Sequence, residues 1–186
     1  MSQQNVVVMT EFTPNPNSLK FNTNREILTE GTAFYLVVEK AAGSPLAKKL
    51  FELEGVAEVF IGHEFVTITR TPGTKSWAKI IASVTDVIRK QLESGEPAVT
   101  EMPSSHGSDE NSEIARKIIK ILDERIRPAV ARDGGDIIFD SYENGVVRLH
   151  LQGSCSTCPS SIATLKTGVE SMLLELVPEV REVIQV

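Results

Sequence analysis

The stretch Val146-Val-Arg-Leu-His-Leu-Gln-Gly-Ser-Cys-Ser-Thr-Cys-Pro-Ser-Ser161 holds both cysteines of the 186-residue chain, and across it the local pattern changes from strand to helix. Val146 to Leu151 alternate as a strand does, and Gly153 with the serines reads as a tight loop. Pro159 suits a first helical turn, where its missing N–H leaves no bond unmade. Ile162, Leu165, Val169, Met172, Leu173 and Leu176 then carry an apolar stripe to Pro178, and Val180 to Val186 reads as a final strand. Two thiolates separated by two residues can converge on one metal or one disulfide. A mononuclear zinc site or a cubane cluster usually takes four such ligands, so one chain supplies half a site. That leaves a redox dithiol acting alone, or a metal or cluster shared between two copies of the protein. A thioredoxin-type fold also places CxxC between strand and helix. It needs several further elements, however, including a cis-proline strand, and only 28 residues follow Cys158.

Upstream of this stretch, Ile114, Ile118, Ile121, Leu122 and Ile126 form the stripe of a helix from about Ser112, which Pro128 is expected to end or kink. In Arg132-Asp-Gly-Gly-Asp136 either Gly134 or Gly135 can supply the positive φ of a helix C-cap. Asp133 and Asp136 could pass for paired carboxylates, but flanking two glycines after a helix they read as turn and capping residues. Ile137 to Tyr142 and Val146 to Leu151 are strands joined through Asn144-Gly145, a pair that tolerates the left-handed turn of a hairpin. The order is α-β-β-α-β.

Further toward the N-terminus, Ser94 to Ser112 is rich in Pro, Gly and Ser with almost nothing to bury, and reads as a linker. The chain is therefore two small α+β domains joined by a flexible linker: residues 1–95, linker 96–111, and residues 112–186. In the first domain Val6 to Glu11 reads as a strand, and an extended piece around Leu19 to Phe21 follows the turn-rich Thr13-Pro-Asn-Pro-Asn-Ser18. Ser44-Pro45 starts a helix that Gly55 stops. Val56 to Ile61 and Phe65 to Thr69 make a hairpin about Gly62-His63, and a helix runs from about Ser76 to Glu93. The order is roughly ββαββα, with no evident catalytic group.

Composition narrows the function classes. A formal net charge of -6 without a basic cluster argues against a nucleic-acid surface, which needs Lys and Arg massed on one face. No apolar run approaches a membrane span. The first residues carry neither a secretory nor an organellar leader pattern, so a cytoplasmic address is expected. In a reducing compartment a close cysteine pair reads as metal ligands or a redox motif rather than a structural staple. The residues from Gln152 to Val169 contain no Asp or Glu, and Ser154, Ser156, Thr157, Ser160 and Ser161 offer hydroxyls beside the sulfurs. With Cys158 at a helix start, this environment suits negative charge. A loop at a helix start also predicts accessible sulfurs and a labile cargo. His63 reads as a turn residue, His106 as a linker residue, and His150, between Leu149 and Leu151, as a strand residue rather than a ligand. Trp77 and the methionines fit packing. No Ser-His-Asp set or phosphate loop is present, since Asp-Gly-Gly-Asp lacks the Lys-Ser/Thr of a P-loop.

Asp133-Gly-Gly-Asp136, Asn144-Gly145 and Gly153-Ser-Cys-Ser-Thr-Cys-Pro-Ser-Ser161, in this order and spacing, resemble the C-terminal NifU-like domain of iron–sulfur scaffold and carrier proteins. Glu11-Phe-Thr-Pro-Asn-Pro-Asn-Ser-Leu-Lys-Phe21 and Gly55-Val-Ala-Glu-Val-Phe60 resemble the N-terminal domain of the Nfu type. These 186 residues depart from the long nitrogen-fixation NifU architecture, since no stretch of them resembles its cysteine-rich scaffold domain or its ferredoxin-like central domain. The resemblance implies a non-enzymatic carrier whose Cys155 and Cys158 bind a 4Fe-4S cluster between two subunits. It implies a homodimer when loaded, apo iron–sulfur proteins as acceptors, an upstream iron–sulfur scaffold as donor, and no nucleic acid or membrane. With no organellar leader, a bacterial cytoplasmic version is expected. A zinc-bridged structural dimer and a CxxC dithiol oxidoreductase stay open beside it.

Overall fold

Strand-rich runs in the N-terminal sequence, together with one three-residue strand, pair antiparallel into a single five-stranded sheet in the computed structural model of the chain. The structure describes residues 5–74, 76–103, 112–156 and 159–186, of which 159–165 are described by backbone alone. It divides into two units, Met1–Pro103 and Ser104–Val186. The first unit contains β1 (Val8–Phe12), β2 (Ser18–Thr23), β3 (Ala33–Tyr35), α1 (Pro45–Phe51), β4 (Val56–Ile61), β5 (Phe65–Arg70) and α2 (Ala78–Ser94). The strands lie in the order β1-β2-β5-β4-β3. Leu19, Phe21, Val59, Ile61, Val66 and Ile68 from the sheet share one core with Leu46, Leu50, Ile80, Val84 and Ile88 from the helices. Each such side chain contributes about 1.5–3 kcal/mol on burial. The expected order lacks β3, because three residues are too few to display an alternation, and it lacks the 3-10 turn Val38–Gly43.

The segment after α2 is not all linker. Gly95 ends the helix at φ 72°, yet Ala98 is only 5% exposed and belongs to the first core. Ser44, at the start of α1, accepts from the Ala47 N–H at 3.0 Å and donates its hydroxyl to the Ala98 carbonyl at 2.8 Å. The Gly43 carbonyl accepts from the N–H groups of Thr100 and Glu101 at 2.7 and 3.1 Å. A Cβ on Gly43 would stand 2.6 Å from the Glu101 oxygen, so glycine is required for this approach. Low apolar content hid the segment, because backbone and hydroxyl bonds fasten it with little side-chain burial beyond Ala98 and Val99. Residues 104–111, including His106, lie outside the described residues.

The second unit contains α3 (Glu113–Ile121), a π turn Leu122–Ile126, α4 (Arg127–Arg132), β6 (Gly135–Glu143), β7 (Val146–Gly153), α5 (Pro159–Leu176) and β8 (Glu182–Gln185). Ser112 caps α3 by accepting from the Ala115 N–H at 3.0 Å. Ile118, Leu122, Ile126 and Val130 are all buried, at steps of four residues, which in an α-helix drift about 40° per step. The wider π turn absorbs that drift and keeps the four on one face. It also explains why Pro128 does not end the helix, which continues to Arg132. The regular hydrogen-bond ladder is already interrupted just before the proline, so its missing N–H breaks little.

The second sheet has the order β6-β7-β8, with β6 antiparallel and β8 parallel to β7. Asn144 at φ 51° and Gly145 at φ 86° form the two-residue turn between β6 and β7. A parallel partner for β7 demands a crossover, which α5 supplies. Val147, Leu149 and Val183 from the sheet meet Ile118, Leu122, Val169 and Leu173 in the second core.

Candidate functional site

β7 delivers the cysteine loop at the end where α5 begins, and the turn after α4 lies alongside it. Gly135 pairs with Gly153 across the β6–β7 ladder, so Asp133 to Asp136 form a strap beside Gly153 to Ser156. Of the two glycines in the strap, Gly134 takes the left-handed conformation, at φ 80°. Gly135 is needed for a different reason: a Cβ there would stand 2.6 Å from the Gln152 carbonyl oxygen and 2.9 Å from Cys155 Sγ. Ser154 fastens the two segments. Its N–H donates to the Gly134 carbonyl at 3.2 Å and its hydroxyl donates to the Asp133 carbonyl. The loop is closed internally by Ser156, whose N–H and hydroxyl both donate to the Gly153 carbonyl, at 3.1 and 2.8 Å.

Cys155 is 5% exposed and packs as a member of the second core, with its Sγ 3.8 Å from Ser154 Oγ. The expectation of an accessible sulfur therefore fails for this cysteine. The missing side chain at Gly135 opens a berth that the thiol fills, and no sequence spacing announces that berth. Thr157 and Cys158 lie outside the described residues, and the side chains of Ser160 and Ser161 are not described.

Asp136 is a buried carboxylate rather than a turn cap. It is 4% exposed and takes two parallel bonds from Arg127, Nε to Oδ1 at 2.8 Å and Nη2 to Oδ2 at 2.7 Å. The Ile137 N–H adds a third at 2.8 Å. Arg127 also binds Asp123 at 2.9 Å, so it ties the π turn to the start of β6. The hydrogen bond to Asp136 outweighs desolvation and holds the guanidinium above its usual range. The loop has no acid of its own in sequence, but the buried Asp136 pairs across the ladder with Gln152 beside it and is matched by its own arginine. Sequence reasoning missed Arg127. The four-residue spacing from Asp123 was the available signal.

The other candidates are structural. His150 holds the Val186 carbonyl through Nδ1 at 2.8 Å and Asp140 through Nε2 at 3.2 Å; Asp140 sits at the bulge in β6 between Phe139 and Ser141. His63 pins the Leu28 carbonyl at 2.6 Å, and Arg70 lies over the Trp77 ring at 5.2 Å. Among the described residues no group of three or more His, Cys, Asp or Glu could hold a metal ion. No described helix is long and apolar enough to cross a membrane.

Residues 8–95 match the family described as "Scaffold protein Nfu/NifU N terminal", and residues 118–184 match the "NifU-like domain". The human "NFU1 iron-sulfur cluster scaffold homolog, mitochondrial" is 45% identical over 181 residues, covering 96% of this chain and 71% of that protein. The protein of that name from Drosophila ananassae is 46% identical over 187 residues, covering 98% of this chain and 65% of its own length. A solution structure of a NifU-like protein from Saccharomyces cerevisiae, 27% identical, covers 54% of this chain and 91% of that one at a TM-score of 0.48. These relatives correct the expected bacterial cytoplasmic address, since the human and Drosophila proteins are named as mitochondrial. That expectation rested on the first residues alone, and a folded domain carries no mark of its compartment. With both family matches in chain order and relatives of this name along nearly its whole length, the chain belongs to the Nfu/NifU family of iron–sulfur cluster scaffold proteins.

Proposed function

We propose that the second unit binds a 4Fe-4S cluster through Cys155 and Cys158, shares it with a second copy of the chain, and passes it intact to apo iron–sulfur proteins. The observation that carries this reading is that the chain has two cysteines, both in the loop between β7 and α5. Four thiolates then require two chains. α5 supports it: an 18-residue helix starting at Pro159 directs unpaired N–H groups and a positive dipole end toward the loop, which favours an anionic cargo. The cluster comes from an upstream scaffold and leaves by thiolate exchange with the acceptor. The protein acts as a carrier and catalyses no reaction of its own. On this reading residues 112–186 are the cluster-binding domain and residues 1–95 an Nfu-type domain that tunes delivery to particular clients.

Anaerobic reconstitution with iron and sulfide tests the proposal. A brown dimer with about four iron and four sulfide is expected, returning toward monomer when a chelator removes the iron. A colourless dimer retaining one metal would favour a zinc bridge, and a dithiol that cycles without metal would favour an oxidoreductase. A monomer holding the full iron content would defeat the shared site.

A further inference from the structure

We infer that Ser154 and Gly135 are positioning residues that stow the Cys155 thiol inside the second unit, so that cluster loading must first swing the cysteine loop away from the Asp133–Asp136 strap. The inference rests on reading Cys155 as a cluster ligand, but its geometry stands apart from any metal. Cys155 belongs to the second core and is 5% exposed. Its sulfur occupies space that exists only because residue 135 has no side chain. A sulfur so covered has to be uncovered before it can bind iron held between two chains.

The latch is local. Ser154, the residue immediately before the cysteine, is bound to the strap twice, through its N–H to Gly134 and through its hydroxyl to Asp133. The strap itself is anchored at its far end by the paired bonds from Arg127 to Asp136. The two ends of the strap therefore differ. Charge-assisted bonds hold the Asp136 end, while neutral bonds to a loop hold the end that touches Ser154, and neutral bonds open more readily. Loading then breaks the S–H bond of Cys155 and the bond between iron and a thiolate of the donor scaffold, and forms the Cys155 S–Fe bond; the proton passes through water to the released thiolate, and no oxidant is needed. The same stowage shields the metal-free thiol from oxidation and adventitious metal, which depend on access.

The test is the rate at which Cys155 in the full-length protein is alkylated by N-ethylmaleimide at fixed pH, read by peptide mass spectrometry. In the metal-free wild type the rate should fall at least about tenfold below that of the urea-unfolded chain, because labelling follows the population of the opened loop. Ser154→Ala should raise it about fivefold, the effect of one ordinary hydrogen bond on an opening equilibrium. Ser154→Thr, which keeps the hydroxyl, should restore slow labelling. Wild-type Cys155 labelling at the unfolded rate would overturn the proposal, as would Ser154→Ala labelling like wild type. If Ser154→Ala melts below the assay temperature, the hydroxyl serves folding and the latch is wrong. A separate arm addresses the ligand reading: reconstituted cluster should block Cys155 labelling. Slow labelling without such protection by cluster would sink the ligand assignment while leaving the stowed thiol in place.

Discussion

α1 and α5 both open on a proline, Pro45 and Pro159, but the residue before it is Ser44 in one case and Cys158 in the other. In the first unit the serine closes the helix end, its hydroxyl accepting from Ala47 and donating to Ala98, so that both of its roles are used within the fold. The second unit moves the corresponding tie upstream to Ser154, whose hydroxyl reaches Asp133, and leaves thiols at the positions that follow. The same local grammar thus gives a finished structural joint in one unit and a joint with sulfurs beside it in the other. Burial belongs to folding in the first unit; in the second, the same core also holds a cysteine.

The sharpest way to break this comparison is to disable each unit in turn. Cys155→Ser in the full chain should bring iron and sulfide after reconstitution down to background. Phe21→Ala, at a fully buried position of the first core, should leave cluster content per folded chain unchanged. Equal loss in both variants would show that the units do not work separately. Stability should divide in the same way. Phe21→Ala should cost about 3–5 kcal/mol in the first unit and Ile118→Ala about 2–5 kcal/mol in the second. Differential scanning calorimetry should find each loss confined to one transition.

Serine substitutions sharpen the contrast at smaller magnitude. Ser112→Ala removes only a helix cap and should cost about 1 kcal/mol, whereas Ser44→Ala removes a cap and a buried tie and should cost about 2 kcal/mol. Denaturant midpoints giving equal losses would mean the Ala98 tie contributes nothing. The smallest effect concerns alkaline pH. Burial raises the Tyr35 phenol above 10.0, more than the neighbouring Ser44 hydroxyl lowers it. The folded chain then holds that proton more tightly than the unfolded one, so the associated stability is complete below pH 10 and declines as pH rises toward the folded value. Tyr35→Phe should flatten that decline in the first unit, measured as melting temperature across the alkaline range.

Much of the fold was legible because period and punctuation agreed. β4 and the Asn144-Gly145 turn fall where alternation and turn chemistry place them, and the starts of α1 and α3 where serine capping does. What escaped the sequence lacked a period. β3 has three residues, and the segment docked by Ser44 and Gly43 is held through backbone groups that any sequence carries. Pro128 misled because its effect depends on the turn before it, and that turn follows from four-residue spacing rather than from the proline. At the site, the cysteines were conspicuous by type and number. The burial of Cys155 and the Arg127–Asp136 pair were not, since both depend on which segment lies beside the loop after β6 and β7 pair.

The order in which β7 gains its neighbours bears on how the second unit is made during synthesis. Its antiparallel partner β6 is joined to it by a two-residue turn and can pair at once, bringing Gly135 against Gly153. Its parallel partner β8 is separated from it by the whole of α5, and must wait until that helix has been made. The cysteine loop and its strap are thus assembled on a half-built sheet, before the domain that will enclose the sulfur exists. A nascent or truncated chain would carry both cysteines with its core still open, which makes this the interval in which premature oxidation or capture by a chaperone matters most.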